Sequence, residues 1–172
     1  AFIKAKAAPK NRIISMPNGI NIERFKASSD IKNNVRVKLK LKHHQKMVVA
    51  VGRNDVQKDY PNMLNAISLL PSKENFKLFI VGLDVEKLQP EILKLGISNN
   101  VELLGLRKDV DQLMAAADIL LMSSAWEGLP IVIGEAMASE CNIVTTDAGG
   151  CKEWLTRSEA PVPVKNSQAL AD

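Results

Sequence analysis

The stretch "DILLMSSAWEGLPIVIGEAMASECNIVTT", residues 118–146, carries the pattern on which the fold turns. Residues 118–124 form a short apolar run ending in two serines, as expected of a strand buried on both faces. Residues 130–140 read as a helix, with Pro130 at the first helical position, where its missing N–H costs nothing. Residues 142–146 return to β-rich sequence, which completes one β-α-β unit. Inside the helix stand Gly134 and Glu135, and Glu127 lies in the loop before it. A helix built only to fill a core would not place Gly and Glu at its middle.

The same alternation extends upstream. "KMVVAVG" (46–52), "FKLFIVG" (76–82) and "NVELLG" (100–105) are apolar runs that each stop at a glycine. Between them, residues 60–71 put Met63, Ile67 and Leu70 on one helical face. Residues 84–97 start at a capping Asp84 and stop near Gly96, and 108–117 form a further helix. Residues 151–155 begin another. Earlier, 35–42 alternates like an edge strand, but Ser29-Asp30 resembles a helix cap, and a helix is the better reading. Continuous apolar strands alternating with helices predict an α/β protein with a doubly wound parallel sheet, helices covering both faces. Its carboxyl rim would hold Gly52-Arg53, Gly82, Gly105 to Arg107, Ser124 to Glu127 and Asp147 to Gly150. Ligands of such sheets sit along that rim, where the strand order reverses.

The chain of 172 residues suits one domain with a self-sufficient core. Apolar residues make up 46% and aromatics 4%, so that core is aliphatic. With no apolar run of membrane-spanning length and no signal peptide in view, the expectation is a cytoplasmic chain. Cys141 and Cys151, with His43 and His44, are too few and too scattered for a disulfide framework or structural zinc. The net charge of +4 is uneven: residues 1–46 carry +10 and residues 47–172 carry −6. A basic arm of this kind suits an anionic membrane surface, an acidic neighbour or plain solvent. No aromatics interleave with its lysines, which disfavours nucleic acid.

Three groups of residues carry candidate chemistry. The amides around Gly128, Leu129 and Pro130, at a helix N-terminus, suit an anion or sugar hydroxyls. Glu135 lies deeper in that helix, flanked by the small Gly134, Ala136 and Ala138, which would admit a bulky ligand. Its carboxylate could accept the two hydroxyls of a ribose. Arg53 leaves the rim after Gly52, and Lys58 follows just before a helix; two cations there could neutralise a diphosphate. Glu127, in a loop beyond a strand end, reads by itself as an ordinary solvated carboxylate.

In combination, "PNGIN" (17–21), "VGR" with its downstream lysine, "VELLGLRKDV" (101–110), "SSAWEGLPIVIGEAMA" (123–138) and "VTTDAGG" (144–150) resemble one family. The chain is similar, from about Asn11 to Asp172, to the C-terminal donor-binding domain of retaining GT-B glycosyltransferases, family 4 (group 1). The most specific part is the pair of glutamates around Gly-Leu-Pro. The resemblance implies a Rossmann-like domain over 18–172, with residues 1–17 the linker from an absent N-terminal acceptor domain. It implies catalytic roles for Glu127 near the transferred sugar and for Arg53 and Lys58 on the diphosphate. It places Glu135 on the ribose, Gly52, Gly128, Leu129 and Pro130 in the donor site, and Leu106-Arg107 around the base. Asp59 departs from the family, which more often has Gly or Asn after the lysine, and its carboxylate could compete for Lys58.

The implied donor is a UDP-, GDP- or ADP-sugar, used without a metal or other cofactor. The acceptor would be a glycan, polysaccharide or lipid-linked hydroxyl, at or near the inner face of a membrane, and this chain alone would transfer little. A receiver module is disfavoured because the first strand ends in Gly52-Arg53 and not in acidic residues. A dinucleotide-dependent dehydrogenase is disfavoured because no G-x-G-x-x-G follows a strand. A regulatory or inactive nucleotide-binding module of the same fold remains the alternative.

Overall fold

The computed structural model describes residues 18–155 and 161–172. The expected linker, 1–17, with Pro17 of "PNGIN" and the first four cations, lies outside the described residues. Five parallel strands form one sheet: β1 (Lys46–Val51), β2 (Phe76–Val81), β3 (Val101–Gly105), β4 (Ile119–Met122) and β5 (Asn142–Thr145). Their order is β3-β2-β1-β4-β5, so the chain winds outward from β1, then crosses back to its other side. All five expected strands are present.

Alternate residues of each strand feed two cores, because successive side chains point to opposite faces. Met47, Val49, Phe79, Val81, Leu120 and Met122 face one core, covered by α1 (Ile22–Phe25), α2 (Ser29–Lys38), α5 (Val110–Ala116) and α6 (Ile131–Ala138). Val48, Ala50, Leu78, Ile80 and Leu121 face the other, beneath α3 (Tyr60–Leu69), α4 (Gln89–Lys94) and the terminal α7 (Ser167–Ala171). Burial on both faces is why these strands read as continuous apolar runs.

Several boundaries differ from expectation for identifiable reasons. Residues 29–38 are helical, but the cap is Ser28, whose hydroxyl accepts from the Ile31 amide at 3.2 Å. Asp84 makes no cap: it is left-handed at φ 62° and pairs with Lys87 at 3.1 Å. The helix expected over 84–97 splits into a 3-10 turn, Val85–Leu88, and α4, with Pro90 starting the second piece as its missing N–H permits. Pro130 is the N-cap of α6 and not its first helical residue, since its ψ of 103° is extended. Residues 150–153 close a 3-10 turn where an α-helix was expected.

The amino ends of the strands are held by Asp118. Its carboxylate accepts from Arg36 Nη1 at 2.9 Å, Lys32 Nζ at 3.2 Å and the Met47 amide at 2.7 Å. Arg36 also donates to the Gln45 carbonyl at 2.6 Å, so one ion pair ties α2 to β1 and β4. Burial pulls the Asp118 carboxyl upward, but the bonds from Arg36, the Met47 amide and Lys32 prevail and hold it below the ordinary carboxylate range. A depressed carboxylate stabilises the fold above its unfolded pKa of about 3.9 and loses that contribution as pH falls through the folded value. Asp118→Ala is therefore expected to cost about 2–3 kcal/mol at neutral pH, leaving Arg36 and an amide without their partner. Urea denaturation should show the gap from wild type narrowing below about pH 4.

Candidate functional site

The strand order reverses between β1 and β4, and the loops beyond their carboxyl ends meet there. Ala125 donates its amide to the Gln57 carbonyl at 2.8 Å, joining the β4–α6 loop to the β1–α3 loop. Ser123 Oγ donates to the carbonyls of Lys58 and Asp59 at 2.7 and 2.9 Å. A third loop, after β5, joins them: the Glu127 amide donates to Ala148 O at 2.7 Å. Gly150 packs so close that a Cβ there would lie 1.7 Å from the Gly128 carbonyl oxygen, which explains the "AGG" of the sequence.

Lys58 and Glu127 occupy the centre of this junction. The ammonium lies 2.6 Å from Glu127 Oε1, with side-chain exposures of only 19% and 7%. Ser124 Oγ donates to the same oxygen at 2.7 Å, and Gln57 Nε2 donates to Oε2 at 2.9 Å. The aliphatic stem of Lys58 crosses Gly52, where a Cβ would come within 2.8 Å of Lys58 Cε. Tyr60 steadies the turn by donating its hydroxyl to Gly52 O at 2.8 Å. Glu127 is thus a buried, fully bonded carboxylate and not the solvated loop residue its local sequence suggests. Asp59 does not compete for Lys58; it is the left-handed residue that opens α3, and Glu127 holds the lysine instead.

The remaining candidates make no hydrogen bond to this centre among the described residues. Arg53 is two-thirds exposed and its Nε hydrogen-bonds to Asp55. Burial opposes, but the bonds from Arg53 and the Lys58 amide hold the Asp55 carboxyl below its usual range. Arg107 makes a fork of two bonds to Asp109, at 2.8 and 2.6 Å, beside the exposed Leu106. The amides of Gly128 and Leu129 donate to no other group among the described residues, and the α6 N-terminus follows them.

Glu135 is half-buried on α6. Burial raises its carboxyl above the ordinary range; Arg24 opposes the rise and Asp111 adds to it. These two partners come from α1 and the start of α5, where Arg24 Nε meets Asp111 Oδ2 at 3.3 Å. The small residues beside Glu135 do not leave open space. A Cβ on Gly134 would lie 2.7 Å from both Ile20 Cγ1 and the Trp154 ring, and Ala136 is fully buried. Gly134 therefore lets Ile20, just before α1, and Trp154, after the 150–153 turn, pack against α6, and Ser139 ties α1 to the end of that helix by donating to Phe25 O at 2.8 Å. Gln57, Arg24 and Asp111 join the site only through tertiary contacts, and nothing in their local sequence marks them; Ser124 stood on the expected rim without an assigned role.

Cys141 and Cys151 are both free and buried; burial pushes the first thiol up to about 12 and raises the second. Among the described residues no group of three or more His, Cys, Asp or Glu converges in a way that could hold an ion. No helix of the described residues is long and apolar enough to cross a membrane. A double-mutant cycle on Lys58→Met and Glu127→Gln should report coupling of about 1–3 kcal/mol in urea denaturation, because either change alone strands a partly buried group.

The sequence matches the family described as "Glycosyl transferases group 1" over residues 31–172. It is 32% identical over 160 residues to the lipopolysaccharide glucosyltransferase WaaG of Escherichia coli, covering 90% of this chain and 42% of that protein. The fold superposes with a TM-score of 0.86 and 28% identity on Anabaena Alr3699/HepE, crystallised with UDP and glucose, covering 99% of this chain and 48% of that one. That Anabaena protein is also known in complex with UDP-glucose. The chain spans less than half the length of these relatives, and its sheet is a Rossmann-like half of the GT-B architecture. The chain belongs to the group 1 family of glycosyltransferases.

Proposed function

We propose that this chain is the donor-binding half of a retaining glycosyltransferase that takes a nucleoside-diphosphate sugar, with UDP, GDP and ADP as candidate carriers. The observation that carries the reading is the convergence of Lys58, Glu127 and the unengaged amides of Gly128 and Leu129 where the strand order reverses. The Anabaena complexes with UDP and UDP-glucose support it by analogy.

The difficult step is departure of the nucleoside diphosphate while positive charge builds on the sugar ring. Oriented cations and amides stabilise such a leaving group because they need no reorganisation as charge develops. Lys58 would exchange Glu127 for a phosphate oxygen, and Arg53 would leave Asp55 to join it. The Gly128 and Leu129 amides, backed by the α6 dipole, would add hydrogen bonds, so that no metal ion is called on. Glu127, released from Lys58 but still held by Ser124 and Gln57, would face the sugar. Glu135 would accept the ribose hydroxyls, and the backbone at Leu106 and Arg107 would meet the base. The acceptor, a glycan, polysaccharide or lipid-linked hydroxyl, would be brought by a second domain outside this chain. The basic first segment suits work beside an anionic membrane.

Two measurements test this. Glu135→Ala should weaken UDP or GDP binding roughly 10- to 150-fold in calorimetry, the worth of charge-assisted hydrogen bonds of about 1.5–3 kcal/mol. Because burial raises this carboxyl, wild-type affinity should fall with decreasing pH before an ordinary Glu, near 4.3, would protonate, and Glu135→Gln should remove that step. Unchanged affinity in Glu135→Ala would contradict the ribose assignment. The purified protein should also show little turnover on simple acceptors, and efficient transfer by it would refute the division of labour between domains.

A further inference from the structure

Trp126 has no role in the reading above, yet its setting is unusual. Among the described residues every other aromatic side chain is buried or partly buried, whereas Trp126 is 54% exposed. Exposing an indole forgoes one of the largest apolar burials available to any side chain. Flexibility does not explain it. The residue before it is pinned by the Ala125–Gln57 bond, and the residue after it by the Glu127–Ala148 bond, at 2.8 and 2.7 Å. The indole is thus presented from a backbone fixed to two other loops. Val56, which precedes Gln57 across the first of these bonds, is also exposed, at 81%. Two exposed apolar side chains thus adjoin, along the chain, the bonded polar residues Glu127 and Gln57, with Ser124 on the same carboxylate.

That pairing of surfaces matches one ligand chemistry. A pyranose ring has hydroxyls at its edge, which need donors and acceptors, and a face of axial C–H groups. The C–H face carries slight positive charge and stacks on the negative face of an aromatic quadrupole. We infer that Trp126 is a stacking platform for a pyranose ring whose hydroxyls are read by these polar residues. The inference rests on the nucleotide-sugar reading of the site and adds a specificity-determining residue to it. The ring belongs either to the donor or to the acceptor, and the same titration separates the two.

Indole emission of the purified protein is recorded against UDP, UDP-glucose and methyl α-glucoside, the last with and without saturating UDP. Trp126→Phe serves as the emission control, since it keeps an aromatic face while leaving Trp154 the only indole. UDP-glucose should change the emission attributable to Trp126 where UDP does not, and Trp126→Ala should weaken UDP-glucose roughly 2- to 10-fold with UDP unaffected. Trp126→Phe should keep most of that affinity, which separates stacking from a change in the loop. A response to the glucoside in place of UDP-glucose supports the platform and assigns the ring to the acceptor. Emission indifferent to every sugar, with UDP-glucose affinity unchanged in Trp126→Ala, overturns the inference. If no nucleotide binds but the glucoside still perturbs Trp126, the donor reading fails and the platform stands.

Discussion

The contact between Lys58 and Glu127 governs the carboxyl rim of this sheet. Two opposite charges drawn largely out of water lose hydration, and mutual attraction alone seldom makes up the loss. Here the deficit is met by neutral partners: Ser124 on one carboxylate oxygen and Gln57 on the other. Those partners come from two loops, so satisfying the charge also aligns the loops. Gly52 lets the lysine stem pass, and Gly150 lets the third loop close on Gly128. A diphosphate arriving at this junction would meet a cation already oriented, with a carboxylate that keeps two hydrogen bonds after the cation turns away.

The two ends of the sheet use charge differently. At the amino ends, Asp118 collects Arg36, Lys32 and a backbone amide, which together bind α2 to two strands. That carboxylate is saturated by donors and has no function visible beyond holding elements together. At the carboxyl ends, Lys58 rests on a carboxylate from another loop, and Arg53 and Arg107 on carboxylates two residues along their own loops. Pairs of that kind are exchangeable, because a ligand with two negative charges can replace one. The Gly128 and Leu129 amides have no such resting partner among the described residues.

Glu135 shows where a reason drawn from local sequence fails. Its small neighbours suggested space for a ligand along α6. In the structure Gly134 is filled by Ile20 and Trp154, because a helix that packs another element at close range needs the missing Cβ there. What leaves Glu135 available is its position on the turn flanked by Arg24 and Asp111, with no hydrogen bond to either. The short helix before α2, to which the sequence assigned no role, thus brings Arg24 beside Glu135.

The strands could be read from the residue pattern alone. Period-two burial on both faces forces unbroken apolar strands, and the glycines at their ends mark the rim, so five strands and their connecting helices were legible from 46 to 146. The Gly-Leu-Pro loop stood out as a helix entrance, whereas Glu127 read as a solvated carboxylate and is buried against Lys58. Cap positions at Ser28 and Pro130, and the break before Pro90, were missed by a residue or a turn, because local propensities compete within a fraction of a kcal/mol there. Which charges meet is set by the assembled fold. Glu127 lies 69 residues from Lys58 along the chain, and Arg24 lies 87 from Asp111. Pairings over such distances depend on the order in which strands assemble, and strand order is a property of the folded sheet that no local pattern encodes.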